Sequence, residues 1–381
     1  MKTLAHLAVS GKRVLVRVDF NVPMRKGAVA DDYRIMASVP TIKKLLEKGA
    51  SVILIAHLGR PGGKVAKELS LAPVARRLAK LLKKKIMFAE TLEDAGLLSK
   101  SLSRGDILLL ENIRFWNGEE RNDPAFAKKL ATLGDAYVND AFGNAHRAHA
   151  SIVGIPKHLP HAAGLCLERE VRVLESVMRR PKRPFAAIVG GAKIKTKLPL
   201  LKKFISTADH VMVGGAVANT ILAARAMTVG KSPIDSAIDV SWLSMTDRKL
   251  HLPVDGVMTT SLTKKTKHAV RAIADVRDNE YIADVGPSSV ELFISIAKKA
   301  KTVVWNGPLG MIEIPAYAKA TEQLLKYLAR SSAFTVIGGG DLHRSIRKLK
   351  LEKKFSHVST GGGAMLEFLA EKKLPGIEAL K

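Results

Sequence analysis

Cysteine is almost missing from this chain. Cys166 is the single one among 381 residues, which excludes an internal disulfide framework and any metal site built from several thiolates, and fits a reducing compartment. Its apolar setting, Gly164-Leu165-Cys166-Leu167, reads as a packed thiol. Aromatic side chains make up 5% of the chain and nowhere interleave with basic residues, which argues against a stacking platform for single-stranded nucleic acid. Long apolar runs are absent too. Nothing approaches the roughly 18 residues of a membrane span, and the opening stretch 1–10 has too short an apolar core for a secretory signal, so the chain reads as soluble and cytoplasmic, with no membrane partner. Neither standard nucleotide fingerprint occurs: Gly230-Lys231-Ser232 lacks the upstream glycine of GxxxxGK(S/T), and no GxGxxG follows an apolar run. Acidic residues are few, 35 against 62 Lys and Arg, leaving a net charge of +27.

That charge favours anionic substrates and would hold nucleic acid non-specifically at low salt. The lysines are dispersed, however, in pairs such as Lys43-Lys44, Lys202-Lys203, Lys264-Lys265, Lys298-Lys299 and Lys353-Lys354, as solvated helix faces would be. At 381 residues and 47% apolar content, the chain fits two domains of roughly 150–200 residues each. Short apolar runs alternate with helical patterns, the signature of β–α units around parallel sheets. First-half strands are expected at 14–18, 51–55, 107–110 and 136–138, and second-half strands at 185–189, 211–213, 281–284, 302–305 and 334–337. Their continuous hydrophobicity implies sheets covered on both faces. Between the halves, 167–178 carries apolar residues at helical spacing, with Pro181 and Pro184 to end it.

Ligands of open parallel sheets sit beyond the carboxyl ends of the strands, and the strand-end loops here differ between the halves. In the first half they carry Arg and His: Arg17-Val-Asp-Phe-Asn-Val-Pro23, His57-Leu-Gly-Arg60, Arg114, and His146-Arg147-Ala148-His149, with Arg34 close to the first of them. An arginine cluster suits a compact, multiply charged anion. Each of the three histidines reads either as a ligand or as a core residue. In the second half the loops are glycine-rich: Gly190-Gly-Ala-Lys193, Gly214-Gly215, Asn306-Gly-Pro-Leu-Gly310, Gly338-Gly-Gly-Asp341 and Thr360-Gly-Gly-Gly363. Glycine lets backbone N–H groups approach a polyphosphate, although Gly-Gly after a strand is also an ordinary tight turn. Lys193 and Lys197, four apart, would share one face at a helix start. Asp341 reads as a ligand of a phosphate-bridging Mg²⁺ or as a helix N-cap.

Together these residues resemble the phosphoglycerate kinase family. RVDFNVP at 17–23, HLGRP at 57–61, FGNAHRAHAS at 142–151, GGAK at 190–193, WNGPLG at 305–310, GGGD at 338–341 and SHVSTGGGA at 356–364 follow the family's order over essentially the whole chain. The resemblance implies an α/β fold of two Rossmann-like lobes, each a mainly parallel sheet flanked by helices. Residues 1–166 would form a phosphoglycerate-binding lobe, 167–180 a hinge helix, 181–363 a nucleotide-binding lobe, and 364–381 a segment packing back on the first lobe. It implies transfer of a phosphoryl group from 1,3-bisphosphoglycerate to ADP, with Mg²⁺ accompanying ADP or ATP, in a monomer with no specific nucleic-acid partner. Asp19, Asn21, Arg34, His57, Arg60, Arg114 and Arg147 would hold the phosphoglycerate. Gly191, Ala192, Lys197, Gly214, Gly215, Asn306, Gly307, Glu313, Gly338, Gly339, Gly340 and Asp341 would hold the nucleotide, Glu313 through the ribose hydroxyls and Asp341 through the metal. Arg34, Lys193, Gly361, Gly362 and Gly363 would surround the phosphoryl group in transit. An acyl-phosphate acceptor needs no general base, since its nucleophile is already ionised. The chain departs from the family pattern at Leu342, Thr196, Ala216 and Pro233, all on the nucleotide side. A basic nucleic-acid-binding protein on a kinase-derived fold is the alternative, prompted by the charge and these departures.

Overall fold

The computed structural model describes residues 1–237, 240, 242–243, 248–263 and 267–381. Lys264 and Lys265 lie outside the described residues. The chain forms two compact units, Met1–Arg172 with Lys372–Lys381, and Val173–Glu371.

The first unit is built on a six-stranded sheet in the order Met87–Ala89, Ile107–Leu110, Ser51–Ile55, Arg13–Arg17, Ala136–Asn139, His161–Ala163. Every pairing in it is parallel. The central strands are buried along their length, as continuous Val/Ile/Leu runs require when helices cover both faces. One side of the core joins Val14, Val16, Val52 and Leu54 to Ile42, Leu45 and Leu78 of the covering helices Tyr33–Glu47 and Ala72–Leu82. Chain direction across the sheet reverses at strand Arg13–Arg17, the topology that opens a crevice beyond the strand ends.

The second unit has a six-stranded parallel sheet in the order Leu250–His251, His210–Val213, Phe185–Val189, Thr302–Asn306, Phe334–Gly338, His357–Ser359. In chain order this is the 3-2-1-4-5-6 arrangement of dinucleotide-binding folds, whose switch point lies between the first and fourth strands. Those strands end at Val189 and Asn306, where the glycine loops begin. A separate antiparallel sheet joins Asp255–Thr259 to His268–Ala272 and Tyr281–Val285. The run at 281–284, expected among the parallel strands, therefore belongs to this smaller sheet; its apolar pattern fixes a strand but not its partner.

Helix Leu165–Arg179 carries the passage from one unit to the next. Helix Gly363–Leu369 packs on helix Ile194–Thr207 within the second unit. The segment that returns to the first unit thus starts at Lys372 rather than at 364. There Gly376 N–H donates to Ala145 O at 2.8 Å and Lys2 N–H to Leu380 O at 3.2 Å.

Candidate active site

In the first unit, strand Arg13–Arg17 delivers Asp19 and Asn21, and strand Ser51–Ile55 delivers His57 and Arg60. Arg34, in the first turn of helix Tyr33–Glu47, pairs with Asp19 Oδ2 at 2.9 Å and also reaches Asn21 O at 3.3 Å. Gly59 ties two more members in: its N–H donates to Asn21 Oδ1 at 3.0 Å, and its carbonyl accepts from Arg114 Nη1 at 2.8 Å. Positive φ of +64° at Gly59 permits that turn, and a side chain there would strike Leu69. Arg60 follows, exposed, and Arg147 is half-buried.

Arg114 is 3% exposed. Burial lowers its pKa first, the charges of Arg147 and Arg17 add to that, and Glu120, paired with Nε at 3.1 Å, opposes them. Its buried Nη2 has no hydrogen-bond partner among the described residues. A buried donor left so costs about 1–3 kcal/mol, which an anion would recover. His57, also buried, is held well below the usual histidine range by burial and then by Arg17, Arg114, Arg34 and His149. It is a neutral imidazole among cations.

Sequence reading left out what lies behind this cluster. Arg17, Glu119, Tyr137 and Ser151 are fully buried and bonded together, with Ser151 Oγ donating to Glu119 Oε1 at 2.6 Å. Burial pushes Glu119 up, but His149, whose Nδ1 lies 3.7 Å from Oε1, the Arg17 charge and the Ser151 bonds outweigh it and leave the carboxylate below its usual range. These partners are 134 and 32 positions apart, so only the position of Arg17 at a strand end could have pointed to them.

In the second unit the backbone does the work. Helices Ile194–Thr207, Gly215–Ala224, Gly340–Lys348 and Gly363–Leu369 start directly after strand ends, behind Lys193, Gly214, Gly339 and Gly362, and none of these four residues makes a side-chain cap. Two helices are capped by side chains: Thr91 and Asp94 form a reciprocal capping box, and Asp123 accepts from Phe126 N–H. Uncapped starts leave N–H donors and the positive helix end facing outward, which suits phosphate. Gly190 N–H donates to Asn306 O at 2.9 Å and Gly191 N–H to Pro308 O at 2.7 Å, knitting two of the loops together. At Gly307, φ is +86° and a Cβ would lie 2.2 Å from Gly190 O, so only glycine fits.

Lys197 is buried, and its ammonium donates to Asn306 Oδ1. Burial lowers its pKa to about 8, against the nearby charge of Asp341. Lys193, by contrast, is exposed at the helix start, as are Ala192, Glu313 and Gly340. Gly338 is buried at its strand end, and Gly361 N–H donates to Ser359 Oγ at 3.0 Å. Asp341 does not cap its helix, since Gly339 occupies that position. It sits in the first turn, half-exposed, 3.6 Å from Arg344. No three His, Cys, Asp or Glu side chains gather as a metal cage among the described residues. One exposed carboxylate beside uncapped helix starts does fit Mg²⁺ carried in on phosphates, which commonly takes one or two protein carboxylates. Of the departures, Leu342 is fully buried, Ala216 is buried in its helix, Thr196 Oγ1 donates to Lys193 O at 2.8 Å, and Pro233 is exposed.

A guanidinium cluster on one parallel-sheet unit and glycine-led helix starts on another define a class, the two-unit α/β kinases. Comparison with known proteins is more specific. The family model described as phosphoglycerate kinase matches residues 4–372. A phosphoglycerate kinase of Pelotomaculum thermopropionicum is 44% identical over 100% of this chain and 98% of its own length. One of Herpetosiphon aurantiacus is 46% identical over the same shares. The solved phosphoglycerate kinase of Coxiella burnetii superposes with a TM-score of 0.85 at 39% identity, covering 99% of this chain and 98% of that one. The chain belongs to the phosphoglycerate kinase family, and is an enzyme of the kinase class. Among the described residues no helix is long and apolar enough to cross a membrane.

Proposed function

We propose that the chain catalyses reversible phosphoryl transfer from 1,3-bisphosphoglycerate to ADP, giving 3-phosphoglycerate and ATP. The observation that carries this reading is the division of labour: cationic side chains around His57 in one unit, and backbone N–H groups at four uncapped helix starts in the other. Asp19, Asn21, Arg34, His57, Arg60, Arg114 and Arg147 hold the phosphoglycerate. The glycine loops, Lys197, Asn306 and Glu313 hold the nucleotide. Asp341 would hold Mg²⁺, which when bound neutralises phosphate charge.

In the step itself an oxygen of the ADP β-phosphate bonds to phosphorus while the bond from phosphorus to the acyl oxygen breaks. The carboxylate departs with the electron pair, and no proton moves. A general base is therefore unnecessary, and the side chains need only align the groups and neutralise charge spread over the equatorial oxygens. Arg34, Lys193 and the loop of Gly361, Gly362 and Gly363 take that role. Water would hydrolyse the acyl phosphate, so the reading includes closure, with helix Leu165–Arg179 as its pivot. A monomeric state and a cytoplasmic place come to this reading through the family. The test is steady-state turnover of 3-phosphoglycerate with MgATP. Arg34→Ala and Lys193→Ala should each lose nearly all kcat while keeping the parent's circular dichroism; normal kcat in both would overturn the assignment.

A further inference from the structure

Arg17 is among the largest side chains that the protein buries completely, and the proposed reaction gives it no direct part. It ends strand Arg13–Arg17, where its register partner in the neighbouring strand is Ile55. His57 stands two residues beyond Ile55. The guanidinium is held from three directions: Nε donates to Ser151 Oγ at 2.8 Å, Nη1 to Val18 O at 2.5 Å, and Nη2 lies 3.2 Å from His57 Nδ1. Ser151 is itself fixed, since its N–H donates to Glu119 Oε2 at 2.9 Å and its carbonyl accepts from Tyr137 O–H at 2.6 Å. Glu119 thereby balances the buried cation, and the fork of Arg17 has little freedom to turn.

A guanidinium offers only donors and keeps its proton in proteins. Its contact with His57 Nδ1 is a hydrogen bond only when Nδ1 is bare. The single proton of the neutral ring then sits on Nε2. An imidazolium would instead set N–H against N–H, beside the further positive charges of Arg114 and Arg34 that face the same ring. We infer that Arg17 is a positioning residue: it fixes His57 as the Nε2–H tautomer, a neutral donor of set direction beside guanidinium groups. As a statement about substrate this rests on the proposed role of His57 in holding phosphoglycerate; the tautomer does not. The consequence is chemical selectivity. His57 can donate to a carboxylate or phosphate oxygen and cannot accept from a hydroxyl, and it keeps that character while the solution pH crosses the ordinary histidine range.

The experiment is long-range ¹H–¹⁵N correlation spectroscopy of the full chain labelled at histidine, without substrate, from pH 5.5 to 8, with His57 assigned by its loss in His57→Gln. The expected spectrum shows a neutral ring protonated at Nε2 throughout. A ring protonated at Nδ1, or one that titrates in this range, would overturn the inference. Arg17→Lys keeps the charge but loses the fork, and Ser151→Ala loosens the fork without touching the charge, so one remains informative if the other folds poorly. Either should admit the Nδ1–H form and raise KM for 3-phosphoglycerate severalfold, with kcat changed less than KM. A parental tautomer in both folded variants overturns the positioning role. A parental wild-type spectrum as expected, a changed tautomer in the variants and an unchanged KM overturn instead the part given to His57 in substrate binding.

Discussion

Raising the pH from 5 to 8 should cost this protein stability through Asp140, and Asp140→Asn should abolish that cost. Asp140 follows strand Ala136–Asn139 and is 1% exposed. Its Oδ1 accepts from the N–H groups of Cys166 at 2.8 Å and Leu167 at 3.4 Å, in the first turn of helix Leu165–Arg179. Burial lifts its pKa from 3.8 to about 7, outweighing the Thr41 hydroxyl and the two amides. The folded chain thus keeps a proton that the unfolded chain gives up near pH 4. Stability from that proton is full below about pH 4 and is lost as pH rises through 7. At about 1.4 kcal/mol per pKa unit, a shift of roughly three units sets a ceiling near 4 kcal/mol. Asp284, likewise raised to about 7 by burial, is present in both chains and cancels from their difference. Urea midpoints of the parent and Asp140→Asn at pH 5, 6, 7 and 8 give that difference, with the ¹³C shift of the Asp140 carboxyl followed alongside. The variant should gain on the parent by up to about 1.4 kcal/mol per pH unit until the curve flattens near 7. A difference flat with pH would refute the reasoning, because the helix amides and Thr41 would then be holding an ionised carboxylate.

Lys197, lowered to about 8 by burial, is cationic at pH 7 and mostly neutral at pH 9. Calorimetric affinity for ADP should therefore fall about tenfold over that interval, while Lys197→Met should be weaker and flat; a pH-independent parent would remove Lys197 from the phosphate site. Gly307→Ala forces φ of +86° on alanine and drives Cβ against Gly190 O, so a loss of about 2–4 kcal/mol is expected, and an unchanged melting temperature contradicts it. Leu342→Thr places a hydroxyl one residue after Asp341, where the parent side chain is wholly buried. It should lower stability by about 2–3 kcal/mol with no gain in ADP affinity, and tighter ADP binding would show that the hydroxyl reaches the phosphates.

Strands were legible where burial on both faces makes the run continuously apolar: Ser51–Ile55, Ile107–Leu110 and Phe185–Val189 begin and end where the sequence places them. The three-residue strands Met87–Ala89, His161–Ala163 and His357–Ser359 were not, because each lies at or beside a sheet edge and is too short for a pattern to stand out. His268–Ala272 is exposed at every position but Arg271 and carries no continuous apolar signal. At the candidate site, the strand-end arginines and glycines could be read because their chemistry is local. The partners of Arg17 could not, since Ser151 and Glu119 meet it only after folding. Spacing also placed Lys193 and Lys197 on one face without showing that the second would be buried against Asn306 while the first stayed exposed.

The return of Lys372–Lys381 to the first unit has a bearing on how a ribosome makes this molecule. Leu374, Ile377 and Leu380 are buried there, and Gly376 bonds to Ala145. The first unit is thus the one that cannot be completed until residues 372–381 have been made. Val173–Glu371, by contrast, is continuous in sequence. All its residues are present while the earlier unit still lacks its final pieces, the reverse of the usual order in which domains become complete from the amino terminus.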